Sequence, residues 1–182
     1  MEIITGRAKG RRLLCAGGDG VRPSSARSRG GIFSILQGMT GGDFSGYRVL
    51  DAFAGSGALG LEAWSEGSDD VVFFERDKRA YDVLLSNIRQ LEASAGCHAY
   101  LGCSPEDWGR AGGDFSLIFF DPPYAAGLMT RCLEVVCDSG ILRAGGVVVA
   151  EYEIGRGFAV PPGWKVLKEV RYGRAGILML SR

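Results

Sequence analysis

The chain has 182 residues, 46% of them hydrophobic, and its 21 basic and 21 acidic side chains cancel to a net charge of zero. That length and composition fit one compact domain with a sizeable core, and no apolar run is long enough for a membrane-spanning helix. The opening Met-Glu-Ile-Ile-Thr-Gly-Arg lacks the apolar stretch of a signal peptide, so a cytoplasmic protein is expected.

The charge is unevenly spread. Residues 1–40 carry seven basic side chains (Arg7, Lys9, Arg11, Arg12, Arg22, Arg27 and Arg29) against only Glu2 and Asp19. Residues 41–182 carry the balancing acidic excess. A basic end on an acidic body suggests a polyanion contact, although a solvated arm would show the same asymmetry. Within that end, Glu2–Thr5 and Arg11–Cys15 are extended candidates around a Gly-Arg-Ala-Lys-Gly turn, which predicts a hairpin. Gly17, Gly18 and Gly20 break the chain, and Arg22-Pro23 continues it in extended form. Ser24 or Ser25 can cap a helix running to about Met39, with Ile32, Phe33, Ile35 and Leu36 as its apolar stripe.

From Tyr47 strands and helices alternate. The pattern predicts a strand at Arg48–Ala52, a helix at Ala58–Glu66, a strand at Asp70–Glu75 and a helix from Asp77 to about Ala93. A weaker strand at Cys97–Gly102 and a short helix near Pro105–Trp108 precede a fully apolar strand at Phe115–Asp121. A helix at about Ala126–Asp138, a buried strand at Gly146–Glu151 and a closing antiparallel pair, Trp164–Arg171 and Gly176–Ser181, complete the chain. The expected fold is α/β and Rossmann-like: a mostly parallel seven-stranded sheet with helices on both faces, plus an N-terminal hairpin and helix. One domain is expected over 1–182, with 1–40 as the basic extension and 41–182 as the core. The five cysteines (15, 97, 103, 132 and 137) show no Cys-x-x-Cys spacing and His98 is the single histidine, so no metal site is expected.

The strand at Arg48 runs into Asp51-Ala-Phe-Ala-Gly55-Ser-Gly57-Ala-Leu-Gly60. A G-x-G-x-x-G run between a strand and a helix lets the backbone turn tightly and approach a ligand. Glu75 ends the next strand, where a carboxylate can accept from both hydroxyls of a ribose. A dinucleotide would suit the loop as well. Asp51 at its start tilts the reading toward S-adenosyl-L-methionine, because a carboxylate suits an ammonium and repels a pyrophosphate.

Asp121-Pro122-Pro123-Tyr124 closes the Phe115 strand. Open α/β sheets bind ligands at the carboxyl ends of their strands. An exocyclic amine is a poor nucleophile because its lone pair is delocalised. Accepting hydrogen bonds from its N–H groups favours a pyramidal nitrogen with the lone pair aimed outward. Asp121 and the Pro122 carbonyl are suitable acceptors, the two prolines fix φ and remove competing donors, and Tyr124 offers a stacking face. A cytosine-C5 mechanism needs a cysteine nucleophile, and none of the five lies in this corner.

With these residues the chain resembles the bacterial 16S ribosomal RNA guanine-N2 methyltransferases of the RsmD type. The resemblance covers nearly the whole length. It rests on Ile4-Thr5-Gly6-Arg7, Lys9-Gly10-Arg11 and Leu13, and on Arg22-Pro23-Ser24-Ser25 with Arg27, Arg29 and Ile32–Leu36. It rests further on Asp51–Ala63, Phe74-Glu75-Arg76-Asp77 and Asp121–Tyr124. It implies S-adenosyl-L-methionine as cofactor, held by Asp51, Phe53, Gly55, Gly57, Glu75, Arg76, Cys103 and Ser104. It implies catalysis at Asp121, Pro122, Pro123 and Tyr124, and RNA contact by the seven basic residues of the extension. The implied partner is 16S rRNA in the 30S subunit or a late assembly intermediate, met by a monomer, with no membrane involved. The chain departs from the pattern at Ala26, Gly30 and Cys103, where the family usually has acidic residues. Two other readings compete. A DNA adenine-N6 or cytosine-N4 methyltransferase would need a target-recognition region for which this length leaves little room. A vestigial RNA-binding module would have no need of an intact loop, Glu75 and corner together.

Overall fold

The computed structural model describes residues 1–15, 26–102, 105–122, 127–156 and 158–182. Seven strands form one sheet: β1 (Arg48–Asp51), β2 (Asp70–Glu75), β3 (Cys97–Leu101), β4 (Phe115–Phe120), β5 (Leu142–Glu153), β6 (Lys165–Tyr172) and β7 (Ala175–Ser181). Four α-helices are described: α1 (Ala26–Thr40), α2 (Ala58–Ser65), α3 (Lys78–Gln90) and α4 (Leu128–Ser139). The strand order is β3-β2-β1-β4-β5-β7-β6. The pairs β1–β2, β2–β3, β1–β4 and β4–β5 are parallel, while β7 runs antiparallel to both β5 and β6. This is the expected mostly parallel sheet. No helix among the described residues is long and apolar enough to cross a membrane.

The apolar runs sort their side chains by the two-residue period of a strand. Val71, Phe73, Leu117 and Phe119 join Ile32, Phe33 and Leu36 of α1, Leu59 and Leu61 of α2, and Leu84 and Ile88 of α3 in one core layer. Val72, Phe74, Ile118 and Phe120 join Met129, Leu133 and Val136 of α4, and Trp108, in the other. Every β4 residue is buried, as a strand covered on both faces requires.

The predicted hairpin is reduced to one antiparallel bridge between Glu2 and Arg12, with a 3₁₀ turn at Gly6–Ala8. The amides of Ile4 and Thr5 donate to the Glu62 carboxylate of α2, at 2.9 and 2.7 Å. The strand expected from Gly146 begins earlier, at Leu142, because pairing with β4 slips across a bulge: Phe115 faces Leu142 but Leu117 faces Val147. The caps expected at Ser24 or Ser25, and the Arg22-Pro23 segment, lie outside the described residues.

Adjacent glycines in α1 meet opposite surroundings. A Cβ at Gly30 would find only Ile4 Cδ1, at 3.9 Å, whereas one at Gly31 would lie 1.9 Å from the Tyr172 hydroxyl. Gly30→Ala is therefore expected to stabilise the protein by about 0.5–1 kcal/mol through helix propensity. Gly31→Ala is expected to lower the melting temperature, because the Tyr172 ring must leave the helix surface. Thermal melts of the two single variants check this pair, and equal shifts would contradict the packing.

Candidate active site

Strand order decides where a site can form. From β1 the chain builds outward to β2 and β3, then returns to place β4 and β5 on the other side of β1. The carboxyl ends of β1 and β4 thus flank the point where the order reverses, where the following loops diverge and leave a crevice. Asp51 ends β1, Glu75 ends β2, and Asp121 follows β4, so three carboxylates share this edge.

The loop after β1 is pinned to its neighbours. Ala52 N donates to Phe119 O at 3.2 Å, and Ala54 N donates to Phe74 O at 3.0 Å. Gly55 N donates to Glu75 Oε2 at 2.7 Å, while Asp77 N donates to Oε1 of the same carboxylate at 2.7 Å. Glu75 therefore fixes the loop before any ligand arrives, and it remains half-buried at the crevice. The loop glycines serve different ends. Gly55 has φ +53°, and a Cβ there would meet nothing within 4 Å among the described residues. Gly57 has φ +85°, and its Cβ would also strike Leu84 at 2.5 Å. Gly60 lies inside α2, where a Cβ would sit 2.3 Å from the Phe73 ring. Among the described residues, Gly55 is the loop glycine with space beside it.

Asp51 is almost fully enclosed and accepts from Gly60 N at 2.9 Å. Burial, reinforced by the charges of Asp121 and Glu75, pushes its carboxyl up to about 7. Two backbone N–H groups, from Gly60 and Phe53, oppose that shift. Three carboxylates on one edge make an electronegative site that favours a cationic ligand. Phe53 is half-buried. Its ring meets Trp108 edge-on at 6.0 Å and Phe120 at 6.2 Å, while Trp108 stacks on Phe120 at 5.1 Å. Trp108 is a floor for the loop that sequence reading missed; its signal is an aromatic just past the third strand.

The remaining expected residues are placed as follows. Pro122 is buried, Asp121 is half-buried, and Arg76 is exposed beside Glu75. Pro123, Tyr124, Cys103, Ser104 and Arg22 lie outside the described residues. Arg7, Lys9, Arg11, Arg12 and Arg27 are exposed. The Arg7 guanidinium lies over the Trp64 ring, 4.1 Å from its centroid, and Arg11 donates to Gln90 O. Arg29 is a correction to the basic surface. It is fully buried, with Nε 3.5 Å from Glu62 Oε2, and it donates to Glu2 O at 2.7 Å. Its charge is spent inside the protein, because α1 turns that side chain toward α2 and the N-terminal bridge.

The described geometry agrees with the comparisons. A family model described as "Conserved hypothetical protein 95" matches residues 1–181. The chain belongs to that family. The Bacillus subtilis protein YlbH is 34% identical over 156 residues, covering 84% of this chain and 83% of its own. Ribosomal RNA small subunit methyltransferase D of Haemophilus influenzae is 29% identical over 176 residues, covering 95% and 89%. The solved structure of yhhF from Escherichia coli superposes with a TM-score of 0.88 at 27% identity, covering 100% of this chain and 97% of that one. The likeness to the small-subunit methyltransferases D thus extends through both the core and the N-terminal extension, and the chain is a methyltransferase of that type.

The Asp51 shift carries a test. A carboxyl raised from 3.8 to about 7 stabilises the fold most when protonated, so its contribution is full below about pH 4 and is lost as pH rises through 7. The melting temperature of the wild type minus that of Asp51→Asn is expected to fall steadily over that window. A difference that stays flat from pH 4 to 8 would mean that Asp51 titrates as an ordinary carboxylate.

Proposed function

We propose that this protein transfers a methyl group from S-adenosyl-L-methionine to the exocyclic N2 amine of one guanine in 16S rRNA, on an assembled or nearly assembled small subunit. The observation that carries the reading is the shared edge of Asp51, Glu75 and Asp121. It sets carboxylates suited to a cationic nucleoside beside one suited to an amine, in a chain whose relatives include a protein named ribosomal RNA small subunit methyltransferase D.

Glu75 would accept from the ribose hydroxyls while retaining Gly55 N and Asp77 N, since a carboxylate has about four acceptor positions. Asp51 would face the ammonium. The open side of Gly55 admits the nucleoside against the backbone. S-adenosyl-L-methionine supplies an electrophilic methyl carbon on a sulfonium. Asp121 and the Pro122 carbonyl would accept the amine hydrogens and aim the nitrogen lone pair. Asp121 would then take the proton that the amine sheds on becoming methylated. Pro123 would keep competing N–H donors out of the corner, and Tyr124 would stack on the guanine ring. The rate gain is alignment plus electrostatics in a partly desolvated crevice.

Asp121→Ala is expected to reduce kcat by at least about 100-fold while cofactor affinity changes less than about tenfold. Labelled methyl transfer to 30S particles lacking the modification, followed by nucleoside mass spectrometry, measures this. Unchanged turnover, or label on DNA or another base, would sink the assignment. Glu75→Ala is expected to weaken cofactor binding by about 1.5–3 kcal/mol, read by titration calorimetry. An unchanged dissociation constant would remove Glu75 from the site.

Lys9, Arg12 and Arg27 are exposed, so their reversal to Glu tests the RNA surface with the buried Arg29–Glu62 pair left intact. The triple variant is expected to raise KM for the particle and to flatten its salt dependence by roughly one unit of log–log slope per lost phosphate contact. Methylation indifferent to all three would mark the basic end as a solvated face.

A further inference from the structure

One fully buried polar side chain belongs neither to the carboxylate edge nor to the basic surface, yet touches the backbone of both neighbourhoods. Asn87 lies on the inward stripe of α3 with Ala80, Leu84 and Ile88. Its Nδ2 donates to Ser56 O at 2.9 Å and to Leu14 O at 3.0 Å, and its Oδ1 accepts from Leu14 N at 2.8 Å. Ser56 is the middle residue of the Gly55-Ser56-Gly57 turn, flanked by glycines at φ +53° and +85°. Leu14 lies two residues beyond Arg12 of the N-terminal bridge. One turn further along α3, Gln90 Nε2 donates to Arg12 O at 3.0 Å and Gln90 O accepts from Arg11.

We infer that Asn87 is a positioning residue through which the basic N-terminal segment and the cofactor loop sense each other's occupancy. The inference rests on the reading of these two regions as RNA-binding and cofactor-binding. The two N–H bonds of a carboxamide lie in one plane at a fixed angle. A shift of the Leu14 peptide that keeps its pair of bonds must tilt that plane and misalign the bond to Ser56 O. The peptide that carries Ser56 O is otherwise held through Gly57 N, which donates to Ala54 O at 2.7 Å, and glycine on either side lowers the cost of its rotation. An apolar side chain at this place on the stripe would fill the same core but would leave Ser56 O, Leu14 O and Leu14 N without this partner. A polyanion that holds residues 11–14 therefore stiffens the turn that receives the nucleoside.

The test measures binding of S-adenosylhomocysteine by calorimetry to the full chain, with and without saturating 16S rRNA transcribed in vitro. In the wild type, rRNA is expected to tighten binding by about threefold to tenfold, the worth of one well-made hydrogen bond. In Asn87→Ala and in Asn87→Asp, the latter keeping only the acceptor for Leu14 N, the ratio is expected to fall below about twofold. A wild-type ratio of one, or an undiminished ratio in the variants, overturns the inference, since a purely structural amide would change stability and not the ratio. If the variants do not fold, hydrogen exchange in the wild type decides. Added rRNA must slow exchange at the amides of residues 55–57 in cofactor-free protein, and unchanged exchange overturns the proposal. A wild type that does not bind S-adenosylhomocysteine at all refutes the proposed function and takes this inference with it. A wild type that binds both ligands independently refutes the coupling alone.

Discussion

A single buried carboxylate organises the N-terminal third of this protein. Glu62 is fully enclosed, and its oxygens accept from Ile4 N, Thr5 N and the Thr5 hydroxyl, with the Arg29 guanidinium 3.5 Å away. Removing an ion from water costs several kcal/mol, which only a full set of partners offsets. Those partners come from two places in the chain, the first residues and α1, and they converge on a carboxylate of α2. None of them can leave without stranding a charge in the core, so the extension and the core form one body. Burial lowers the pKa of Arg29, and the neighbouring Glu62 carboxylate opposes that shift.

The same interaction explains why the extension was the least legible part of the sequence. Counting cations over residues 1–40 cannot separate Arg29, whose counter-ion lies 33 positions away on another helix, from Arg27, which faces solvent. The hairpin pattern was real in period but incomplete in partners, and two of its amides donate to Glu62. A glutamate inside the otherwise apolar Ala58–Ser65 helix, and an asparagine on the inward stripe of α3, were the available signals. Each is a polar residue at a place where patterning demands an apolar one, and its partners cannot be deduced from spacing. The sheet was legible for the converse reason. Strands covered on both faces are continuous apolar runs, and Val71–Phe74 and Leu117–Phe120 admit hardly another reading. Ahead of Gly146, where the expected strand begins, Leu142–Gly145 reads as a loop although the backbone continues the ladder there through a bulge.

At the candidate site, the positions of the chemistry-bearing residues were legible and their division of labour was not. A Cβ at Gly57 or Gly60 would strike Leu84 or Phe73, whereas among the described residues one at Gly55 would meet nothing within 4 Å. This division makes mechanical sense. The two packing glycines let α2 lie against β2 and α3 with no side chain between, which fixes the start of the helix. The loop ahead of it is then held by hydrogen bonds to β2 and β4, and its one unobstructed glycine lies above the carboxylate of Glu75.

That arrangement carries an electrostatic cost that the protein meets with backbone dipoles. Burial, with the charges of Asp121 and Glu75 added to it, raises the Asp51 carboxyl to about 7. Gly60 N and Phe53 N stabilise its ionised form, and Gly55 N and Asp77 N do the same for Glu75. These donors are fixed by the fold, so they hold the charges apart without neutralising them as lysine or arginine would. The edge stays electronegative, which suits a ligand that is itself a cation and disfavours a pyrophosphate. Its polarity is the opposite of the exposed cations on the extension, and Glu62, by locking that extension to α2, keeps the two fields at a fixed separation. A polyanion attracted to the exposed cations would be repelled by the acidic edge, so the two surfaces favour ligands of opposite charge.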